Sequence, residues 1–250
     1  MIFGRPEPVM VTADQALPGR PDPMPGLAAR HALLDAPLTG PWTTPSGQPA
    51  EVVHLAGGCF WGLERILWQV PGVVGTAVGY MGGFTPHPTY EETCTGRTGH
   101  TETVLVAYDP AVVGADRLVA TLLENHDPTT ANRQGNDVGT QYRSAIYWTT
   151  DLQGAQARAA CEAFDRLLTS RGHGHVTTEL RPAAEAGPFY FAEDYHQQYL
   201  HKNPGGYCNH GPNGYSCPVG LVSAADLPAQ TDVAPPAQTD PVRTDVRPPR

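Results

Sequence analysis

The chain has 250 residues, a length for one generous domain or two small ones. Apolar residues make up 40% of it, so a sizeable hydrophobic core can form, whereas 27 glycines and 26 prolines exclude a helical bundle or a coiled coil. The formal net charge of −9 argues against nucleic acid and anionic membranes as main partners.

One segment imitates a membrane span, because residues 66–90 contain no Lys, Arg, Asp or Glu. Its three prolines and five glycines would break a helix, so we interpret it as a strand and loops. Residues 1–26 lack the long apolar stretch of a secretory signal. We therefore expect a soluble, cytoplasmic protein whose five cysteines are free thiols.

Hydrophobic periodicity predicts alternating strands and helices in the middle of the chain. In chain order the predicted elements are a strand at 52–55, a helix at 63–70, strands at 73–80 and 101–108, a helix at 118–123, a strand at 143–148, a helix at 151–170 capped by Asp151, and a strand at 176–181. This order predicts an α+β two-layer sandwich with a split βαβ, ferredoxin-like core, an antiparallel or mixed sheet and long coil segments.

The prolines divide the chain into three parts. Residues 1–50 hold ten prolines among scattered large apolar side chains, which is typical of an extended arm packed on a core. Residues 51–222 form the predicted domain. Residues 223–250 contain a repeated Pro-Ala-Gln-Thr-Asp and almost no large apolar side chain, so we expect a disordered tail.

Cys59 lies in Gly-Gly-Cys-Phe-Trp-Gly, where a buried strand turns into a helix. Unpaired N–H groups and the helix dipole favour a thiolate there, so the pattern predicts a reactive cysteine with a lowered pKa. The alternative is a small buried structural cysteine. Glu102 lies on an apolar strand, where burial would raise its pKa and leave a proton to donate. A solvent-facing position is its alternative.

Other candidates lie in loops. The long polar segment at 125–143 is dense in hydrogen-bonding side chains, which is typical of a binding loop or of a solvated surface loop. Tyr90 follows a Pro-rich loop and can offer a phenolic donor. Cys208 and Cys217 flank a Gly-rich segment with His210, so a mobile thiol or a zinc site is conceivable, but the paired spacing of zinc ligands is missing.

Nine segments together resemble one family. They lie at 58–62, 79–83, 88–90, 98–102, 125–128, 134–137, 139–144, 189–200 and 202–204. Their order and content resemble the A-type peptide methionine sulfoxide reductases, which reduce methionine (S)-S-oxide. Segments 16–20 and 23–25 resemble the arm of the longer bacterial members of that family.

The resemblance implies a role for each matching residue. The reacting groups are the nucleophile Cys59, the acid Glu102, the hydroxyl donors Tyr90 and Tyr142, the resolving Cys208 and the second recycling Cys217. The implied substrate-binding residues are Phe60 and Trp61, which form the wall for the substrate methyl group, and the supporting polar residues Asp137 and His196.

The implied chemistry needs no bound cofactor or metal. The Cys59 thiolate attacks the sulfoxide sulfur, Cys59 becomes a sulfenic acid, and Cys208 condenses with it to a disulfide. Oxidation then passes to Cys217, and thioredoxin, or dithiothreitol in vitro, resets the enzyme. The implied partners are oxidised proteins or peptides, free methionine sulfoxide and thioredoxin, with the enzyme as a monomer that repairs oxidised proteins.

Two other classes remain open from the residues alone. A hydrolase could use Cys59 as nucleophile with His196 as base. A non-catalytic peptide-binding module would use the same pocket without chemistry. Thiol counting distinguishes them, because the reductase consumes two thiols per turnover without reductant and the other two classes consume none.

Overall fold

The structure is a computed structural model that describes residues 7–227. Its helices and strands are, in chain order, β1 (Glu51–Gly57), α1 (Phe60–Leu67), β2 (Val73–Met81), α2 (Tyr90–Cys94), β3 (Thr101–Tyr108), α3 (Ala115–Glu124), β4 (Arg133–Gln134), β5 (Asp137–Val138), β6 (Ser144–Trp148), α4 (Asp151–Ser170), β7 (Glu179–Pro182), α5 (Ala183–Ala186), β8 (Tyr190–Phe191) and α6 (Tyr199–Lys202).

Six strands form one mixed sheet in the order β7-β6-β1-β3-β2-β8. β3 pairs antiparallel with both β1 and β2, so β1 and β2 run parallel with β3 inserted between them and α1 connecting them. β1 is inserted in the same way between β3 and β6, which α3 connects. The predicted α+β fold with a split βαβ core and a mixed sheet is therefore confirmed, and β6 with β7 supplies the parallel pair.

Helices α1, α3 and α4 pack on one face of the sheet. Val53 and Leu55 of β1 lie in the same buried cluster as Leu63 of α1, Leu118 of α3 and Phe164 of α4, and all five are 0% exposed. Burying such side chains contributes about 1.5–3 kcal/mol each. This cluster fixes the end of β1 against the start of α1, where Cys59 lies.

The N-terminal arm covers the other face. Leu38 of the arm is 0% exposed and packs with Ala77 of β2 and Leu105 of β3. Both faces of the central strands are thus buried, and every residue of β3 is buried. The polar–apolar alternation of Thr101–Tyr108 in the sequence therefore does not separate a solvent face from a core face.

The arm is also joined to the core by hydrogen bonds. Nε2 of His31 lies 2.9 Å from the Thr76 hydroxyl, and that hydroxyl donates to Oε1 of the buried Glu64 in α1. The Leu17 N–H donates to the carbonyl of Arg97. These bonds connect the arm to the helix and to the loop that border the site described below.

Three of the differences from the predicted helix and strand ends have a visible cause or replace a predicted cap. α1 ends at Leu67 and Val70 lies in a following turn. The cap of α4 is Thr150, whose side chain accepts from the Gln153 N–H, and Asp151 is the first helical residue. β7 begins only at Glu179, because the N–H groups of residues 176 and 177 donate to Asp165 and Pro128 instead of to a strand.

Two predicted loops contain short elements. The Pro-rich stretch before residue 95 includes α2, whose Thr89 and Glu92 form a capping box. The polar segment at 125–141 contains the β4–β5 hairpin and a 3-10 turn at Thr140–Tyr142. At the predicted start of the tail, a 3-10 turn spans Ala224–Asp226 with Ser223 as its N-cap. Residues 228–250 of that prediction lie outside the described residues. Between residues 7 and 227, no helix is long and apolar enough to cross a membrane.

Candidate active site

Cys59 is the N-cap residue of α1, directly after β1. Gly58 before it has φ +97°, and a β-carbon there would stand 2.5 Å from Cβ of Gln134. Only glycine fits that backbone and that contact. The turn therefore packs directly against the β4–β5 hairpin at Gly58. Cys59, the next residue, is only 6% exposed.

The pKa of the Cys59 thiol is raised, contrary to the sequence prediction. Burial is the main cause and the nearby Glu102 carboxyl adds to it. The N–H groups of Trp61 and Gly62 do lower the pKa, as a helix start should, but their effect is smaller than that of burial. At neutral pH Cys59 is therefore a protonated thiol in this structure.

Glu102 lies on β3 opposite Tyr80 and is 2% exposed. The Phe60 N–H donates to its Oε2 at 3.0 Å. Burial raises the pKa of Glu102 to about 8, against the opposing effect of the Phe60 hydrogen bond. The carboxyl group is therefore a neutral acid at pH 7, which is the state that the apolar strand predicts.

A cavity of about 170 Å³ opens in front of these two groups. Its lining consists of Cys59, Phe60, Trp61, Tyr90, Glu102, Asp137, Tyr142 and Tyr207. Seven of these were candidates from the sequence, and Tyr207 was not. The only available signal for Tyr207 is its place directly before Cys208. A larger groove of about 430 Å³ beside α4 contains Cys161. Its lining has no buried carboxyl group like Glu102, so the smaller cavity is the better candidate for an active site.

The two tyrosines reach the cavity from different elements. Tyr90 is the first residue of α2, and its N–H donates to Oε1 of Glu193 at 2.8 Å. Tyr142 ends the 3-10 turn before β6. Burial, followed by the proximity of Glu102, raises the pKa of both phenols. Both hydroxyl groups therefore stay protonated and can donate hydrogen bonds into the cavity.

Trp61 and Phe60 form an aromatic wall that His196 supports. The Trp61 indole N–H donates to Nδ1 of His196 at 3.0 Å, and its ring stacks on Tyr199 at 3.9 Å between centroids. Burial lowers the pKa of His196 to about 4. The 3.8 Å approach of its Nε2 to Glu193 is therefore no ion pair. His196 does not line the cavity, and it orients Trp61 instead.

Asp137 holds the C-terminal segment. It lies on β5 and accepts from the Tyr207 hydroxyl at 3.1 Å and from Nδ2 of Asn209 at 2.7 Å. Burial raises the pKa of Asp137, and these two donors partly oppose that effect. Since residues 207 and 209 flank Cys208, Asp137 fixes the chain on both sides of that cysteine.

Cys208 packs on α1. A β-carbon on Gly62 would stand 3.0 Å from its Sγ, and Nη2 of Arg65 donates to Sγ at 3.2 Å. Residues 59, 62 and 65 follow at three-residue spacing, so they lie along one face of the helix. Cys208 therefore lies on the same helix face that begins at Cys59.

Cys217 lies elsewhere in this structure. It is 5% exposed, its N–H donates to Oε1 of Glu124 at 2.9 Å, and its Sγ approaches the Ala160 carbonyl at 3.8 Å. Burial raises the pKa of its thiol to about 12. Cys217 thus packs between α3 and α4, whereas Cys208 packs on α1.

A zinc site was the alternative for the segment between Cys208 and Cys217. Across residues 7–227 no three His, Cys, Asp or Glu side chains cluster as a metal site. His210 instead lies with its Nε2 2.7 Å from the Gly57 carbonyl.

Comparison with known proteins gives a consistent result. The family profile for peptide methionine sulfoxide reductase matches residues 51–215. Peptide methionine sulfoxide reductase MsrA of Salinispora arenicola is 55% identical over 223 residues, 88% of this chain and 98% of the relative. MsrA 1 of Caulobacter vibrioides is 57% identical over 212 residues, 85% of this chain and 94% of the relative.

Solved structures agree. Methionine sulfoxide reductase A of Corynebacterium diphtheriae is 48% identical, with a TM-score of 0.73 over 85% of this chain and 99% of that one. Reduced Mxr1 of Saccharomyces cerevisiae is 30% identical, with a TM-score of 0.58 over 73% of this chain and 96% of that one. By sequence and by structure, the chain belongs to the peptide methionine sulfoxide reductase family.

Proposed function

We propose that this chain reduces methionine (S)-S-oxide, free and in proteins, with Cys59 as nucleophile and Glu102 as acid. One observation carries the assignment: a buried thiol and a buried neutral carboxyl group line the same small cavity. A sulfoxide sulfur becomes a good electrophile when its oxygen is protonated, and an acid with a pKa of about 8 keeps that proton at neutral pH.

The first step uses the proton of the Glu102 carboxyl group and the proton of the Cys59 thiol. Cys59 Sγ attacks the sulfoxide sulfur while Glu102 gives its proton to the sulfoxide oxygen, and the carboxylate then takes the proton that Cys59 loses. The hydroxyl group then passes from the substrate sulfur to Sγ of Cys59 as the bond between the two sulfurs breaks, so methionine leaves and Cys59 becomes a sulfenic acid. Because the carboxyl group is regenerated, a thiol with a raised pKa can react without a separate base.

The other cavity residues bind and orient the substrate. The hydroxyl groups of Tyr90 and Tyr142 donate to the sulfoxide oxygen beside Glu102, and Phe60 with Trp61 holds the substrate methyl group. Asymmetric placement of the donors on one side and the aromatic wall on the other selects one sulfoxide epimer.

Cys208 resolves the sulfenic acid. Its thiol attacks Sγ of Cys59 and a disulfide forms. The hydroxyl group of the sulfenic acid leaves as water. Its place on the α1 face that begins at Cys59 supports this role. Cys217 then exchanges with Cys208, and thioredoxin reduces the final disulfide. That exchange requires the segment at 213–217 to leave its contacts with α3 and α4.

The hydrolase alternative is less well supported. A base must accept the proton of Cys59, but Nδ1 of His196 already accepts from Trp61 and the ring lies outside the cavity lining. The deciding experiment incubates the enzyme with each sulfoxide epimer in the absence of reductant. With one equivalent of each epimer, we expect one methionine formed and two thiols lost per chain for the (S) epimer only. Product without thiol loss contradicts the reductase mechanism.

The same proposal extends to organisation and location. We propose an arm at 1–50, a catalytic domain at 51–222 and a tail at 223–250, with the buried arm residue Leu38 as the main support for the first boundary. All five cysteines are unpaired in the described chain, which fits a reducing compartment such as the cytoplasm. A monomer is sufficient for the reaction, since residues of a single chain line the cavity.

A further inference from the structure

His210 is held in one tautomer beside Cys208. The residue is 9% exposed, and its Nε2 lies 2.7 Å from the Gly57 carbonyl oxygen. A carbonyl only accepts, so Nε2 carries the ring proton and Nδ1 offers a lone pair. Burial lowers the pKa of His210 to about 4, so the ring is neutral at pH 7.

Nδ1 of His210 is buried and has no hydrogen-bond partner among residues 7–227. A β-carbon on Gly62 would stand 2.5 Å from this nitrogen and 3.0 Å from Sγ of Cys208. The unused acceptor and the thiol therefore border the same space, three residues along α1 from Cys59.

The other charged or titratable side chains near Cys208 are poor candidates to accept its proton. Arg65 of α1 donates to Sγ of Cys208 at 3.2 Å and has no lone pair with which to accept a proton. His126, from the loop after α3, also faces His210, but its two ring nitrogens are paired with the Leu122 carbonyl and the Ser144 hydroxyl. The Cys208 thiol approaches the main-chain carbonyl of His210 at 3.8 Å. Among the titratable side chains that face Cys208 within residues 7–227, the His210 ring offers the unpaired acceptor.

We propose that His210 is the proton acceptor for Cys208 when Cys208 attacks the Cys59 sulfenic acid, with Arg65 stabilising the thiolate. This inference rests on the proposed resolving role of Cys208. The proton moves from Sγ of Cys208 to Nδ1, the S–S bond forms as the S–O bond of the sulfenic acid breaks, and the hydroxide leaves as water after taking that proton. No further oxidant or reductant is needed.

The test separates the two steps of a single turnover. Methionine release reports the first step, and loss of two thiols reports the second. His210→Gln places an amide N–H where Nε2–H stands and so can keep the bond to Gly57, but it removes the basic nitrogen. We expect unchanged methionine release and disulfide formation slowed by about 100-fold or more at pH 7, the lower end for general base catalysis. The slowed step should recover as pH rises and Cys208 ionises without help.

His175→Gln is the matched control, because its side chain is 83% exposed and lines the groove beside α4 instead of the cavity that holds Cys59. It should change neither step. A wild-type rate of disulfide formation in His210→Gln would mean that His210 only holds its segment on Gly57, and it would overturn the proposal. Equal slowing of both steps would overturn it too, since the residue would then act on Cys59.

A measurement on the unmodified protein gives an independent result. Nitrogen-15 NMR should show His210 as the neutral Nε2–H tautomer, and an Nδ1–H tautomer would leave no acceptor and overturn the inference. Failure of the proposed resolving role of Cys208 has a different signature, because Cys208→Ser would then still lose two thiols at the wild-type rate after one turnover. Failure of the proposed function would show as no methionine release by the wild-type protein.

Discussion

The Phe60 N–H donates a 3.0 Å hydrogen bond to Oε2 of Glu102, and this bond joins the first turn of α1 to the central strand β3. The bond connects the residue after Cys59, the proposed nucleophile, to Glu102, the proposed acid. Because an N–H can only donate, the proton of the neutral carboxyl group is left on Oε1. The pair therefore fixes both the position of the acid and which of its oxygens can release a proton.

Glu102→Gln should slow the first step by about two to four orders of magnitude, the usual contribution of general acid catalysis. Glutamine can keep the bond from Phe60 through its carbonyl oxygen, but its amide cannot transfer a proton to the sulfoxide. Single-turnover release of methionine at pH 7 measures the effect. An unchanged rate would show that the proton comes from another group.

The first step should also lose rate as pH rises through about 8. Burial raises the pKa of Glu102 to about 8, so the acid is protonated below that value and ionised above it. Single-turnover rates between pH 6 and 10 should be level at first and then fall, and Glu102→Gln should lack that fall. If the rate instead rises steadily with pH, ionisation of Cys59 rather than acid catalysis limits the step.

Cys208→Ser should release one methionine per chain and stop at the sulfenic acid. Cys217→Ser should still form the Cys59–Cys208 disulfide, because Cys208 packs on α1 while Cys217 packs between α3 and α4. Its cost should fall on recycling by thioredoxin. Peptide mapping after one turnover measures the bonds, and a wild-type recycling rate in Cys217→Ser would remove Cys217 from the mechanism.

Leu38→Ala should destabilise the protein by about 2–5 kcal/mol, the usual cost of emptying a buried leucine site. Leu38 is 0% exposed between the arm and the sheet. Leu33→Ala, at a residue of the same arm that is 43% exposed, is the matched control and should cost far less. Urea denaturation measures the free energy of unfolding of both variants. Equally small losses would mean that burial of the arm does not stabilise the core.

The fold was largely accessible from the sequence because apolar periodicity is strong in β1, α1, β3 and α3. Burial of Glu102 followed from its apolar strand. The pKa of Cys59 did not follow, since the favourable N–H groups are local while burial depends on the hairpin and sheet packed around it. That Tyr207 joins the cavity, bonded to Asp137 across 70 residues, also depends on tertiary packing that no local pattern shows.

The most direct test of the account traps Cys59 after one turnover. The Cys208→Ser/Cys217→Ser double variant is treated with one equivalent of methionine (S)-S-oxide and then with dimedone, and peptides are mapped by mass spectrometry. We predict one methionine per chain and a dimedone adduct on Cys59. Methionine formed with no adduct on Cys59, or with the adduct on Cys94 or Cys161, would contradict the assignment of Cys59 as the nucleophile.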